Sequence, residues 1–318
     1  MSKQWRMAPV LALSIALMML ISACGSTTTG SGTTTTSGTG TAGTTATTLG
    51  TPGAYNCISG TLNASGSTAL APLAQAVATD YQKKCSGATI TIGLGGSGTG
   101  LSQAESGGVQ IGDSDIFSKS GQADLVDHQV AVVIFTVIVN SKVTGVTNLT
   151  TEQLKGIYSG QITNWNQVGG PNLNIVVVSR PTSSGTRATF QKIILGGPEK
   201  ISGPSSLTTD STGTVVKNVE QTAGALGYAA SGPAMKAGSG LTIVNIDGQA
   251  PTAALVKTNT YKFWNIEHMY TKGKATGLTQ AFIDYMASSD GKAEASKLDF
   301  LLTTDMSAAA LQAHQPKS

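Results

Sequence analysis

Three times in this chain a β-branched run empties through a loop of glycine and hydroxyl residues into a segment with helical spacing of apolar positions. Residues 58–62 lead through 63–68 into 69–84, where Pro72 falls near the first turn, a place that tolerates proline. Residues 88–92 lead through 93–100 into a polar helix expected at about 101–105, and residues 175–178 lead through 179–187 into 188–195. Strands that keep alternating with helices imply an α/β class with mostly parallel sheets. The third loop, SRPTSSGTRATF at 179–190, is the richest in chemistry. Ser183 and Ser184 can cap the helix, and Gly185 lets a backbone approach a bound group closely. Free N–H groups of a first helical turn favour an anion, and Arg180 and Arg187 add fork-shaped donors. Taken alone, the stretch fits an ordinary capped loop with two solvated arginines equally well.

The chain's 318 residues are enough for two domains with real cores. Charged residues make up 12% and the formal net charge is +3, so no nucleic-acid footprint is visible. Residues 1–23 read as a secretory leader: Lys3 and Arg6 form the charged region, followed by an apolar run of signal-peptide length, too short for a spanning helix. Without those two cations, 18 basic residues face 17 acidic ones. Any anion site must then be local chemistry. The leader ends in Ile21-Ser22-Ala23-Cys24, which resembles the lipobox of bacterial lipoproteins, with Cys24 as the lipidated residue. Residues 24–53 are almost entirely Thr, Gly, Ser and Ala without charge, a tether that cannot bury enough apolar surface to fold and spans about 30 Å. The folded part is expected outside the membrane but held close to it. In that oxidising compartment Cys57, leading into the first strand, and Cys85, ending the first helix, can form a disulfide.

Further along, 109–115 reads as a short strand ending in Asp115, and 130–139 as a buried central strand or an interdomain crossing. Thr150 and Gln153 have the spacing of a capping box. Gly93, Gly95 and Gly98 match the dinucleotide pattern G-x-G-x-x-G, with Asp113 and Asp115 about twenty residues on, but the match is weak in a chain with 39 glycines. An anion-cradling loop with Ser97 as hydroxyl donor fits better. A phosphatase- or esterase-type enzyme would need a base, and none of His128, His268 and His314 lies beside a candidate nucleophile. No G-x-S-x-G elbow, P-loop or zinc spacing occurs, so neither metal nor cofactor is expected.

Taken together, the tethered α/β chain, the two Ser/Gly loops, the strand-end aspartate and the R-x-x-S-S-G-T-R loop resemble the phosphate-binding lipoproteins of bacterial phosphate ABC importers, within the periplasmic-binding-protein superfamily. LTTEQLKGIYSGQITNWN at 149–166, GALGY at 224–228 and YTKG at 270–273 extend the resemblance in order. It implies a two-lobed α/β fold with the ligand cleft between lobes, residues 54–139 with 262–318 forming one lobe and 140–261 the other. It implies no enzyme but a monomeric receptor for inorganic phosphate, anchored to the cell membrane and delivering to the permease subunits. Sulfate or molybdate would be the alternative ligands. The family's contacts carry over to Ser67, Thr68 and Ala69, to Ser97 and Asp115, and to Arg180, Ser184, Gly185 and Thr186, with Arg187 as a further contact or a support. Some members place an acidic residue two positions after the arginine, where it would orient it. This chain has Thr182 there, which leaves open how Arg180 is held. An ionised Asp115 can only accept hydrogen bonds, so it favours a protonated phosphate over sulfate.

Overall fold

The computed structural model describes residues 55–200 and 206–316; the leader, Cys24 and the tether lie outside them. Among the described residues eleven strands run in chain order: β1 (Gly60–Gly66), β2 (Ala88–Leu94), β3 (Ile111–Ser114), β4 (Leu125–Asn140), β5 (Asn148–Leu149), β6 (Val176–Ser179), β7 (Ser206–Thr208), β8 (Ala225–Ala230), β9 (Leu241–Ile246), β10 (Trp264–Lys272) and β11 (Phe300–Leu301). The main order across the sheet is β2-β1-β3-β10-β4-β8-β6-β7. The first five helices are α1 (Ala71–Lys84), α2 (Ser97–Ser106), α3 (Thr151–Tyr158), α4 (Gly185–Phe190) and α5 (Thr212–Gln221), of which all but α3 adjoin the site.

The sixteen-residue β4 belongs to two sets of strands. Residues 125–134 pair with β10, and β11 pairs there too; residues 135–140 pair with β8 and β9. All four pairings are antiparallel, as is that of β10 with β3. The expectation of mostly parallel sheets therefore needs correction. Parallel pairing is confined to β1 with β2 and β3, β6 with β7 and β8, and β5 with β9. The reason is topological: the chain leaves the first set along β4 and re-enters it along β10, so these neighbours must run in opposite directions.

Local chemistry sets the element ends. The Thr150 hydroxyl accepts from the Gln153 N–H at 3.1 Å, and the Gln153 side chain accepts from the Thr150 N–H at 2.8 Å, so both halves of the capping box close. Helix α2 begins at Ser97, four residues before the expected start, and α4 continues into a π-helical turn, Gln191–Leu195. A buried aromatic group anchors α4: Phe190 lies 4.5 Å from Tyr228 and 5.2 Å from Phe263, ring centre to ring centre. Burying one such ring stabilises by about 1.5–3 kcal/mol, enough to fix the height at which α4 meets the sheet. Cys57 and Cys85 are bonded, with Cα atoms 5.1 Å apart, tying the entry of β1 to the end of α1.

Candidate functional site

The carboxyl ends of β1, β2, β3, β6 and β7 converge, the usual place for a ligand in α/β sheets. The first strand set contributes Ser67, Thr68 and Ala69 after β1, Ser97 at the start of α2 and Asp115 just past β3. The second contributes Arg180 after β6, Ser184, Gly185 and Thr186 at the start of α4, and Thr212 at the start of α5. All the side chains among these are buried, Arg180 to 1% exposure and Asp115 to 1%.

The two sides touch directly. Arg180 Nη2 donates to Thr68 Oγ1 at 3.1 Å and to the Asp210 carbonyl at 3.1 Å. The Thr68 hydroxyl also accepts from the Thr212 N–H and lies 3.1 Å from the Thr212 hydroxyl. Asp115 accepts from Ser97 Oγ at 3.2 Å and from Thr186 Oγ1 at 2.9 Å, one donor from each side. Two hydroxyl donors leave a carboxylate with further lone-pair positions.

Glycine makes this proximity possible. A Cβ on Gly185 would stand 2.2 Å from Ser97 Oγ and 3.0 Å from Asp115 Cβ. Gly96, with φ of +84°, would drive a Cβ to 2.7 Å from the Ser183 carbonyl, which accepts from the Gly98 N–H at 2.9 Å. The Gly98 N–H of the G-x-G-x-x-G stretch is therefore spent on the opposite loop.

Arg180 is held without help from Thr182, which is exposed. Thr68 and Asp210 grip one end of its guanidinium, while Arg187 Nη1 donates to the Arg180 carbonyl at 2.6 Å. Arg187 turns the other way, its Nε 3.5 Å from Glu199, whose carboxylate also accepts from the Ser179 and Tyr228 hydroxyls. Arg187 thus fastens the loop. Arg180 Nε and Nη1 are buried without any hydrogen-bond partner. Burial lowers the pKa of Arg180, and the Asp115 charge is the largest influence opposing that shift.

Some expected donors are spent internally. The Ala69 N–H, with that of Leu70, donates to Ser67 Oγ, and Ser184 Oγ caps α4 by accepting from the Arg187 N–H. Sequence reasoning missed Asp210, Thr212 and Asn265, whose Nδ2 donates to the Asp115 carbonyl at 2.7 Å and to Thr189 Oγ1 at 3.2 Å. The Ser211-Thr212 start of α5 carried a cap signal; Asn265 carried none.

Two strand sets meeting over a buried junction of hydroxyls, one arginine and one carboxylate define a two-halved α/β binding protein. The PBP superfamily domain model matches residues 26–290. The phosphate-binding protein PstS of Bacillus subtilis is 43% identical over 253 residues, covering 78% of this chain and 82% of the relative. Among solved structures, a putative phosphate ABC transporter substrate-binding protein from Clostridium perfringens, with bound phosphate, superposes with a TM-score of 0.72 at 29% identity, over 77% of this chain and all of that one. An ABC-type phosphate transport receptor from Vibrio cholerae gives a TM-score of 0.62 at 27% identity, over 76% of this chain and 99% of that one. The chain belongs to the PBP superfamily and, within it, to the family of these phosphate-binding proteins, which are transport receptors and not enzymes.

Proposed function

We propose that the protein captures inorganic phosphate outside the cytoplasm and delivers it to the permease subunits of an ABC importer. The observation that carries this reading is the Arg180 guanidinium, buried with two donor nitrogens unpartnered near the hydrogen-bond-accepting Asp115. A buried donor left unmade costs about 1–3 kcal/mol, so these nitrogens call for an acceptor, and an oxyanion supplies one. Ser67, Thr68, Ser97, Asp115, Arg180, Gly185, Thr186 and Thr212 form the binding site, with Ala69, Ser184 and Arg187 shaping its loops. The Asp115 carboxylate accepts a hydrogen bond from a protonated ligand oxygen and so favours phosphate over fully ionised sulfate.

Residues 54–139 with 262–318 make one lobe and 140–261 the other, moving about the shared β4. The partner change within β4 supports two lobes, with the second beginning at Phe135 and not at 140. The leader at 1–23, lipidation at Cys24 and the tether at 24–53 keep a monomeric receptor at the cell membrane. Calorimetric titration with phosphate and with sulfate tests the function: phosphate should bind at one site and sulfate at least tenfold more weakly. Absence of phosphate binding, or a preference for sulfate or molybdate, would overturn the reading.

A further inference from the structure

Beneath the junction lie two acids that the site as described does not use. Asp113, on β3, and Glu267, on β10, are each 0% exposed, and none of their four carboxyl oxygens has a hydrogen-bond partner. Both are wired to the site. The Asp113 carbonyl accepts from the Ser67 N–H at 2.9 Å, and Asp113 precedes Asp115 by two residues. Glu267 follows Asn265 by two, the residue that donates to the Asp115 carbonyl.

Among the described residues, no cation acts as a counter-charge to either acid. Glu267 feels Asp115 and Asp113, with only the Ser67 hydroxyl acting in the opposite sense; Asp113 feels Asp115. On the neighbouring β4, Ala131 stands opposite Glu267, and the imidazole of His268 is taken by Asp127 at 2.7 Å. Burial first, and the neighbouring carboxylates second, push both acids well above the usual carboxylate range. An unpaired buried carboxylate is far more costly than a buried carboxylic acid. Ser67 Oγ already accepts two backbone N–H groups, so its own proton is free to be directed by a neutral acceptor below it.

We propose that Glu267 is a positioning residue for the anion site: with Asp113 it forms a neutral acid pair under the Ser67 loop, and loss of a proton from the pair opposes anion capture. The ligand named here rests on the phosphate reading; the acid pair itself does not. An anion above the pair holds its protons more firmly, so binding and proton retention reinforce each other.

The test compares the full chain with Glu267→Gln and Asp113→Asn, titrating inorganic phosphate by calorimetry at about pH 5.5 and about pH 9, a range that brackets documented buried carboxyls. Phosphate's own titration is common to all three proteins. The weakening between the two pH values should therefore be about tenfold smaller in Glu267→Gln than in the wild type. Parallel profiles in all three proteins would overturn the proposal, and Asp113→Asn carries the comparison if Glu267→Gln does not fold. Urea unfolding without phosphate provides a second readout. Above the unfolded pKa of about 4.3 the unfolded chain ionises while the folded pair does not. Wild-type stability should thus fall as pH rises through the neutral range, and more steeply than that of Glu267→Gln. Equal slopes would refute the acid pair. A wild type that bound no phosphate at either pH would sink the phosphate reading alone, and the unfolding slopes would still decide the pair.

Discussion

Replacing Gly185 with alanine puts one methyl group into a close approach between the two strand sets. The new carbon would sit 2.2 Å from Ser97 Oγ and 3.0 Å from Asp115 Cβ. Neither neighbour can yield cheaply: Ser97 is fully buried, donating to Asp115 Oδ1 and accepting from the Asp115 N–H at 2.9 Å. Forcing a methyl group into such packing costs about 1–3 kcal/mol. Alanine also favours the helix by up to about 1 kcal/mol over glycine, but that gain is present whether or not the halves meet and cancels in binding. The clash is felt only where the halves meet. Phosphate affinity should then fall by about 5- to 150-fold, while thermal stability without ligand falls little. Calorimetry and thermal melts separate the two effects. An unchanged Kd would show that the halves need not approach this closely to hold the ligand.

Two other substitutions probe chemistry and scaffold separately. Asp115→Asn should erode discrimination between phosphate and sulfate by at least tenfold, because an amide can donate to a ligand that carries no proton; calorimetry giving the wild-type selectivity would remove Asp115 as the discriminator. The double replacement Cys57→Ser/Cys85→Ser opens a loop with a sequence separation of 28 and should lower stability in urea unfolding by about 3–4 kcal/mol. Phosphate affinity should change little, since the bridge lies at the far end of α1 from the junction.

What could be read from the sequence was what local chemistry encodes. The Thr150–Gln153 capping box and the Ser184 cap announce themselves within four residues, and both form. The strand at 130–139 was visible as a β-branched run, but its first five residues, Leu125-Val126-Asp127-His128-Gln129, were not, because their pairing with β10 comes from sequence-distant residues. Strand β10 has no counterpart in the sequence reading at all. Its Trp264-Asn265-Ile266-Glu267-His268 mixes apolar and polar positions, as a half-exposed strand would, yet every one of these residues is buried because both faces are covered. Asn265 and Glu267, which would ordinarily face water, here lie near Asp115 and Ser67, and His268 pairs with Asp127. Thr212 escaped for a similar reason: it meets Thr68 across 144 positions of chain, and no local pattern reports such a meeting. Strand direction was equally hidden, since periodicity identifies a strand but not which way its neighbour runs.

Strand β4 offers the two proposed lobes a joint made of paired strand. Movable halves are commonly joined by loops, which exchange their amide protons readily and are cut easily by proteases. Here the passage from Ile134 to Phe135 occurs inside a continuous strand, with ladder partners on either side and side chains that are 1% and 0% exposed. Bending there can redistribute twist along the strand without releasing its hydrogen bonds. If the proposed lobes bend about this passage, an isotope-exchange map would therefore show their axis among the slowest-labelling segments, and a protease would find nothing to grip there.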